Sequence, residues 1–583
     1  DFVTNHTSRE MNPTANNIPE DGKLYEPDRK EDGTFAFDEN GEPYDYNGDG
    51  LVENLIADPQ NDTNGWFHGL GDRGDDSSRY GYRYKDLGSL ADFSQENQNV
   101  AAYLEQATLF WADMGVNGIR HDATLHMDAA FAKGLKDAVD SHNTITQFGE
   151  FFIGRPDPKY DEYVYFPKQT GINNLDFEFY RAASATFGDF STTMADFGNM
   201  LQYTQDDYDY ENQAVTFLDN HDVTRFGYTQ RSQKTYNAAL ATLLTSRGVP
   251  NIYYGTEQYV VPADGSDVSG RIFMQTDSSF DTDTTAYKLI GKLSELRQQN
   301  DAIAYGTTTI RYSNDDVLIY ERKFYDDVIL VAINRQPDKA YTIDNVETLL
   351  PEGEYVDFLG GMLNGENISV YASTGINTTA SITLDGGEVG IWQYDAAANA
   401  PEIGNVVSTM GRAGNRVYIY GDGLDGNISV KFGETEATVE SNTANEIVTY
   451  VPDNAVAGYN DITVTKGDAV SNSFTYNVLS GDQNQVIFHV KAETSYGENF
   501  YIVGNVPELG SWNPDKCTEA LLNPNYPEWF LPVSVPAGTE IQFKFIKKDA
   551  NGTVTWESGD NRVITSSSLS AGTVDTEVYT WRN

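Results

Sequence analysis

The sequence predicts a multidomain chain in which a parallel β/α sheet or barrel is followed by three all-β sandwich domains. Three observations carry that prediction. A length of 583 residues exceeds the ~250 to 300 residues at which a single hydrophobic core stops growing. From about Asn99 to Tyr305, helical and strand patterns alternate as in βα units. After Gly306 the chain turns to short alternating strands separated by Gly, Asn and Asp turns.

Taken in order, the chain opens on DFVTNHTS, a strand end running into a loop, so residues are expected to precede Asp1. Residues 8–87 are rich in Asp, Gly, Asn and Tyr and keep no periodicity, as expected of a long excursion from a scaffold. AAYLEQATLFWADMG and FAKGLKDAVDSH read as helices, and VNGIRHDA and ITQFGEFF as strands. AVTFLDNHD and VPNIYYGTEQ are strands around the helical KTYNAALATLLTSRG. DVLIYERKF, DVILVAINR and EVGIWQYD alternate as sandwich strands, and AAANAPEIG reads as a linker. RVYIYGDGL, VKFGETEATV, DITVTKG and SFTYNV make up a further all-β unit from about Pro401 to Leu479. The expected boundaries are a partial β/α domain at 1–7 and 88–305, the excursion at 8–87, and β domains at 306–397, 400–480 and 484–583.

Eighty-eight Asp and Glu against 39 Lys and Arg give a net charge of -49, which repels nucleic-acid phosphates and anionic membranes. No stretch is apolar for the ~20 residues of a membrane span, so a soluble chain with a neutral partner, as a sugar polymer is, is expected. Acidity spread along the whole chain also suits a halophilic source. The lone Cys517 closes no intrachain disulfide, and no Cys/His cluster has zinc spacing.

Three segments end a predicted strand on a carboxylate: Asp122 in GIRHDA, Glu150 in QFGEFF and Asp222 in FLDNHD. A β/α barrel carries its catalytic groups at such C-terminal strand ends. One such residue is more often a helix N-cap; three in succession, two of them beside Arg120 and His221, point to a site. With DFVTNH at the start, these segments resemble, in order and spacing, the four signature regions of the α-amylase superfamily, glycoside hydrolase family 13. The resemblance implies a (β/α)8 TIM-type barrel whose N-terminal strands, on the order of 100 residues, lie before Asp1, with 8–87 as its loop-rich B domain. It makes Asp122 the nucleophile, Glu150 the general acid/base and Asp222 the transition-state stabiliser. His6, Arg120, His126 and His221 would hold the nucleophile or the sugar, and Phe152 would line the acceptor side. A retaining glycosidase needs one ionised and one protonated carboxyl about 5 to 5.5 Å apart. Arg120, two residues before Asp122 on one strand face, would keep Asp122 ionised, and Glu150 is expected to hold the higher pKa.

The same resemblance implies Ca²⁺ bound by Asn5, Asp92 and the carbonyl of His126, oxygen ligands suited to a hard cation. DYNGDG sets Asp45, Asn47 and Asp49 at alternate positions like half an EF-hand, a second calcium candidate, but Ile56 stands where the bidentate Glu would be. From Gln485 the chain resembles a family 20 starch-binding module. Trp512, Lys544, Trp556, Glu557 and Asn561 would form its first sugar site, and Tyr526 and Trp529 its second. Residues 401–479 resemble the immunoglobulin-like IPT domain, and LTSRGVPNIYYGTEQY and LGGMLNGENISV look like cyclodextrin glucanotransferase sequence. That subfamily usually carries an aromatic residue where YKDLGSLAD has Gly88, and a Lys where Leu125 stands, so weaker cyclisation is expected.

The reading is therefore a secreted, extracellular, monomeric α-1,4-glucan transglycosylase of the cyclodextrin glucanotransferase type, with starch, α-1,4-glucans and cyclodextrins as partners and no nucleic acid or membrane. An α-amylase or maltogenic amylase is the alternative, and a non-catalytic starch-binding protein the alternative of another class.

Overall fold

The computed structural model describes residues 1–8, 23–230, 232–568 and 572–583. The chain divides into two compact units, one of Asp1–Glu150, Gly411–Ala413 and Val478–Asn583, the other of Phe151–Met410 and Gly414–Asn477. Part of the expected B-domain excursion, residues 9–22, lies outside the described residues.

In the first unit, strand Gly118–His121 runs parallel to Thr146–Gly149, with Arg120 opposite Phe148, and Phe2 bridges to His121 in the same sense. Helix Gln98–Asp113 buries Val100, Ala101, Leu104, Thr108 and Ala112, the spacing of one helical face. Asn97 caps it by accepting from the Asn99 N–H, and Gly115, at φ 87°, follows its end. Helix Ala129–His142 is buried on almost every side because helix Gln98–Asp113 packs on one flank and strands Gln483–Lys491 and Glu528–Pro536 on another. Those strands belong to a two-sheet β module: Leu522–Asn525, Glu528–Pro536, Gln483–Lys491 and Thr573–Thr580 in one sheet, Asn499–Gly504, Glu540–Lys548, Val554–Trp556 and Arg562–Thr565 in the other. Phe488, Phe500, Trp529, Leu531, Phe543 and Phe545 fill the space between the sheets.

In the second unit, Val215–Phe217 pairs in parallel with Val249–Asn251 across helix Gln233–Thr245. That helix is buried on every side from Thr235 to Thr245, polar Asn237 and Thr242 included, the position of a core element. An antiparallel sheet follows in the order Thr307–Ser313, Val317–Phe324, Asp327–Asn334, Val389–Tyr394, and Trp392, Leu330 and Ile319 lie in the core between it and the facing strands. Arg322, wholly buried, donates to the carbonyl oxygens of Ala302 (3.3 Å) and Ile303 (3.3 Å), to Thr308 Oγ1 (2.9 Å) and to Asn212 Oδ1 (3.0 Å). A second β-sandwich holds Glu402–Val407, Arg416–Asp422, Glu446–Tyr450 and Val439–Asn442 in one sheet, and Ile428–Phe432 with Gly458–Lys466 in the other.

Carboxylates crowd where helix Asp301–Tyr305 and these β domains meet. Burial and the approach of Asp422, Asp327 and Asp395 raise Asp301 to about 7; burial and Asp422 raise Glu402 likewise to about 7. Asp301 Oδ2 is buried and accepts no hydrogen bond.

Candidate active site and starch-binding module

Asp122 and Glu150 stand immediately after neighbouring parallel strands, so the sheet itself sets them side by side. Arg120 joins them: its Nη1 lies 2.8 Å from Asp122 Oδ1 and its Nη2 3.3 Å from Glu150 Oε2. The same guanidinium reaches Asp1 Oδ1 at 2.6 Å. A planar fork spanning two carboxylates is what arginine, and not lysine, supplies. The turn after Asp122 is tight. Ala123 takes φ 51°, a left-handed conformation that costs a non-glycine residue about 1 to 2 kcal/mol, and its N–H donates to Glu150 Oε2 at 3.3 Å.

His6 lies on strand His6–Ser8, opposite Asp92 of Leu90–Asp92. Burial lowers its pKa, and the negative charge of Asp122 partly opposes that. His126, in the turn Thr124–His126, donates from Nδ1 to the Tyr82 carbonyl oxygen at 2.9 Å, and burial lowers it to about 4, so its ring is neutral at pH 7.

In the second unit, Asp222 lies 3.0 Å from His221 Nε2 and 3.2 Å from Arg271 Nη2, and Arg271 Nε donates to the His221 carbonyl oxygen at 2.9 Å. Nothing in the sequence singles out Arg271, one basic residue in the stretch ADGSDVSGR. Phe152 is 47% exposed; its ring centroid lies 4.3 Å from that of Phe177, edge-on, and the Arg181 guanidinium stands over the ring at 5.6 Å. Gly88 takes φ 63°, its N–H donates to Asp72 Oδ1 at 3.1 Å, and the space where a Cβ would stand is open.

The residues expected to hold calcium fit an oxygen-seeking cation. Asn5 Oδ1 is buried and accepts no hydrogen bond, while Asn5 Nδ2 donates to Asp92 Oδ1 at 3.0 Å, so an orphaned carbonyl oxygen sits beside a buried carboxylate. The DYNGDG segment differs. Asp45 accepts from the N–H groups of Gly48 and Gly50, Asn47 from Asp49 and Asp49 from Leu51, so these oxygens serve their own turn. Among the described residues, no three His, Cys, Asp or Glu side chains are grouped to hold a metal.

On the starch module, Trp556 and Tyr526 are 41% and 51% exposed and Trp512 is half-buried, so each offers ring surface. Lys544 donates to the carbonyl oxygens of Glu557 (3.2 Å) and Gly559 (2.6 Å), which fixes the turn carrying Trp556, and Asn561 Nδ2 reaches Gln542 Oε1 at 3.3 Å. Two expectations change. Trp529 is 2% exposed, packs against Phe500 and donates from Nε1 to the Ala492 carbonyl oxygen, so it is core and not a sugar platform. Glu557 is buried under Arg562 and Arg582 and accepts from the Phe545 N–H, so its carboxylate is spent within the module.

Comparison with known proteins matches this arrangement piece by piece. The α-amylase catalytic domain matches residues 1–266, the α-amylase C-terminal all-β domain 311–395, the IPT/TIG domain 401–479 and the starch-binding domain 483–576. A cyclomaltodextrin glucanotransferase of Thermoanaerobacterium thermosulfurigenes is 44% identical over 582 residues, covering 98% of this chain and 76% of that protein. One of Geobacillus stearothermophilus is 40% identical, covering 100% and 77%. The crystal structure of the γ-cyclodextrin glucanotransferase of alkalophilic Bacillus clarkii superposes with a TM-score of 0.86 at 38% identity, covering all of this chain and 81% of that one. With its paired carboxylates, three β domains and this likeness along its whole length, the chain belongs to the cyclomaltodextrin glucanotransferase family.

Proposed function

We propose that the chain transfers α-1,4-glucan segments with retention, Asp122 acting as nucleophile, Glu150 as acid and then base, and Asp222 as stabiliser of the oxocarbenium-like transition state. The observation that carries this is the single Arg120 guanidinium holding both Asp122 and Glu150. Asp122 attacks the anomeric carbon as Glu150 gives its proton to the departing glycosidic oxygen, which leaves a glucosyl ester on Asp122. Glu150, now ionised, takes the proton from an incoming hydroxyl, which displaces Asp122 and restores the α configuration. The chain's own 4-hydroxyl end gives a cyclodextrin, another glucan gives a linear transfer product, and water gives hydrolysis.

Gly88 favours a larger hydrolytic share, because the loop offers no ring there around which a glucan would curl. Phe152, exposed and two residues after Glu150 in the sequence, favours a sugar acceptor over water. A calcium ion held by Asn5, Asp92 and the His126 carbonyl would satisfy the orphaned Asn5 Oδ1 and pin the loop before helix Gln98–Asp113 to the barrel. A monomeric enzyme working outside the cell suits a polymer that cannot enter one, and the net charge of -49 suits a saline medium.

The test is the product profile from soluble starch, by chromatography, across several salt concentrations and with calcium. Cyclic and linear transfer products are expected beside a substantial hydrolytic fraction; glucose, maltose and short linear sugars alone would move the assignment to an amylase, and starch binding without turnover would remove it.

A further inference from the structure

Helix Arg79–Tyr84 leads directly into Lys85–Gly88, the stretch that ends on Gly88, the position around which a curling glucan is proposed to pass. Its own side is tied to the barrel. Tyr84 donates to Asp128 Oδ2 at 2.6 Å, Arg83 lies 3.4 Å from Asp128 Oδ1, and the Tyr82 carbonyl accepts from His126. The base of the loop is tied as well, by Arg73 N–H to the Asp86 carbonyl at 2.8 Å and by Lys85 Nζ to Asp76 at 2.8 Å.

The helix also carries two arginines on the face one turn apart, and both turn to a residue more than 400 positions away. Arg83 Nη1 lies 3.1 Å from Glu519 Oε1, Arg79 pairs with the same carboxylate, and Arg79 Nη1 donates to the Ala520 carbonyl at 2.6 Å. Glu519 and Ala520 belong to the segment matched by the starch-binding domain. Phe530 of that module meets Tyr84 and Tyr80 edge-on, at 5.5 and 6.4 Å. Two guanidiniums four residues apart on a six-residue helix repel one another; the largely buried Glu519 carboxylate pairs with both, and Asp128 is a second partner of Arg83.

We propose that Glu519 is a positioning residue for the glucan acceptor: through Arg79 and Arg83 it holds helix Arg79–Tyr84, and with it the Lys85–Gly88 loop, in the orientation that receives a sugar. The starch-binding module then has a second task besides adsorption, acting on the partition between transfer and hydrolysis. This rests on the transfer reading above. It leads to substrates too short to engage the module's sugar sites being affected by a change inside the module.

The experiment compares the full chain with Glu519→Gln, Glu519→Asp and Phe530→Ala, and with Lys491→Gln as a control that breaks an exposed ion pair to Glu528 in the same module. Transfer from a short maltooligosaccharide to added glucose is measured beside hydrolysis, and amide exchange is followed in the peptide spanning 79–92. Glu519→Gln is expected to raise the acceptor KM roughly three- to tenfold while hydrolytic kcat stays within about twofold, with faster exchange in 79–92. Glu519→Asp should recover part of the loss, Phe530→Ala should move the same way without leaving a buried charge unpaired, and Lys491→Gln should match the parent. An unchanged acceptor KM and unchanged exchange in both Glu519→Gln and Phe530→Ala overturn the proposal, as does an equal fall of transfer and hydrolysis. A parent chain that turns over no glucan would overturn the functional reading instead, and exchange in 79–92 alone would then decide whether Glu519 holds the loop.

Discussion

Arg271 holds Asp222 by its side chain and by the backbone just before it, Nη2 standing 3.2 Å from the carboxylate and Nε donating to the carbonyl oxygen of His221. Both side chains are substantially solvent-exposed, so the pair adds at most about 1 kcal/mol to folding. Its effect belongs to the orientation of Asp222. Arg271→Ala is expected to lower kcat/KM on maltoheptaose by about ten- to a hundredfold with a Tm within about 1 °C of the parent, and Arg271→Lys to recover only part. A parent-like rate would show that Asp222 needs no such support.

Glu150→Gln keeps the shape and the Arg120 contact but has no proton to give. Turnover should fall about 10²- to 10⁴-fold while adsorption to granular starch is retained, since the exposed rings of Trp556 and Tyr526 are untouched. A small loss in kcat would take Glu150 out of the acid/base role.

The carboxylates around Asp301 give a pH dependence of known sign. A carboxyl raised from about 4 to about 7 by folding binds its proton more firmly in the folded chain, so the stability it lends is present below pH 4 and lost as pH rises through about 7. At pH 8 it is a penalty. Asp301→Asn should therefore raise Tm by about 2 to 4 °C at pH 8, leave it nearly unchanged at pH 4, and gain less in molar salt. Scanning calorimetry at the two pH values checks this; equal shifts at both would mean that Asp301 is not ionised against its neighbours.

The two aromatic residues once grouped together on the starch module should part company. Trp529→Ala removes a ring from the core and should destabilise the module by about 3 to 5 kcal/mol. Tyr526→Ala removes an exposed ring and should weaken starch adsorption with little change in Tm. Adsorption isotherms and thermal melts of both variants distinguish the roles.

The carboxylates proposed as catalytic were legible because each closes a strand whose apolar run is short and whose last residues carry a recognisable combination, as in GIRHDA and QFGEFF. The β domains were legible from period-2 alternation. Arg271 and Glu519 were not, because what gives them meaning is a partner 49 or 436 residues away, and nothing local marks either. Trp529 could have been placed correctly: in the strand EWFLPVSVP it shares parity with buried Leu531, so an inward ring follows from alternation once the strand is fixed. Glu557 follows the end of strand Val554–Trp556, whose last two residues are both exposed, so alternation gave no warning of its burial.

Arg322 has a consequence for how the molecule comes apart. With no exposed surface, neutral oxygens as its hydrogen-bond partners and the Glu211 carboxylate acting on it electrostatically, it spans Asn212, helix Asp301–Tyr305 and Thr308 from a strand of the first β domain, so none of these can melt without stripping a buried cation of its partners. The part of the chain that carries Asp222 and the sandwich after it are thereby made one cooperative unit: calorimetry should record a single endotherm for both, and a protease should find no cut in the link between them that leaves either half folded.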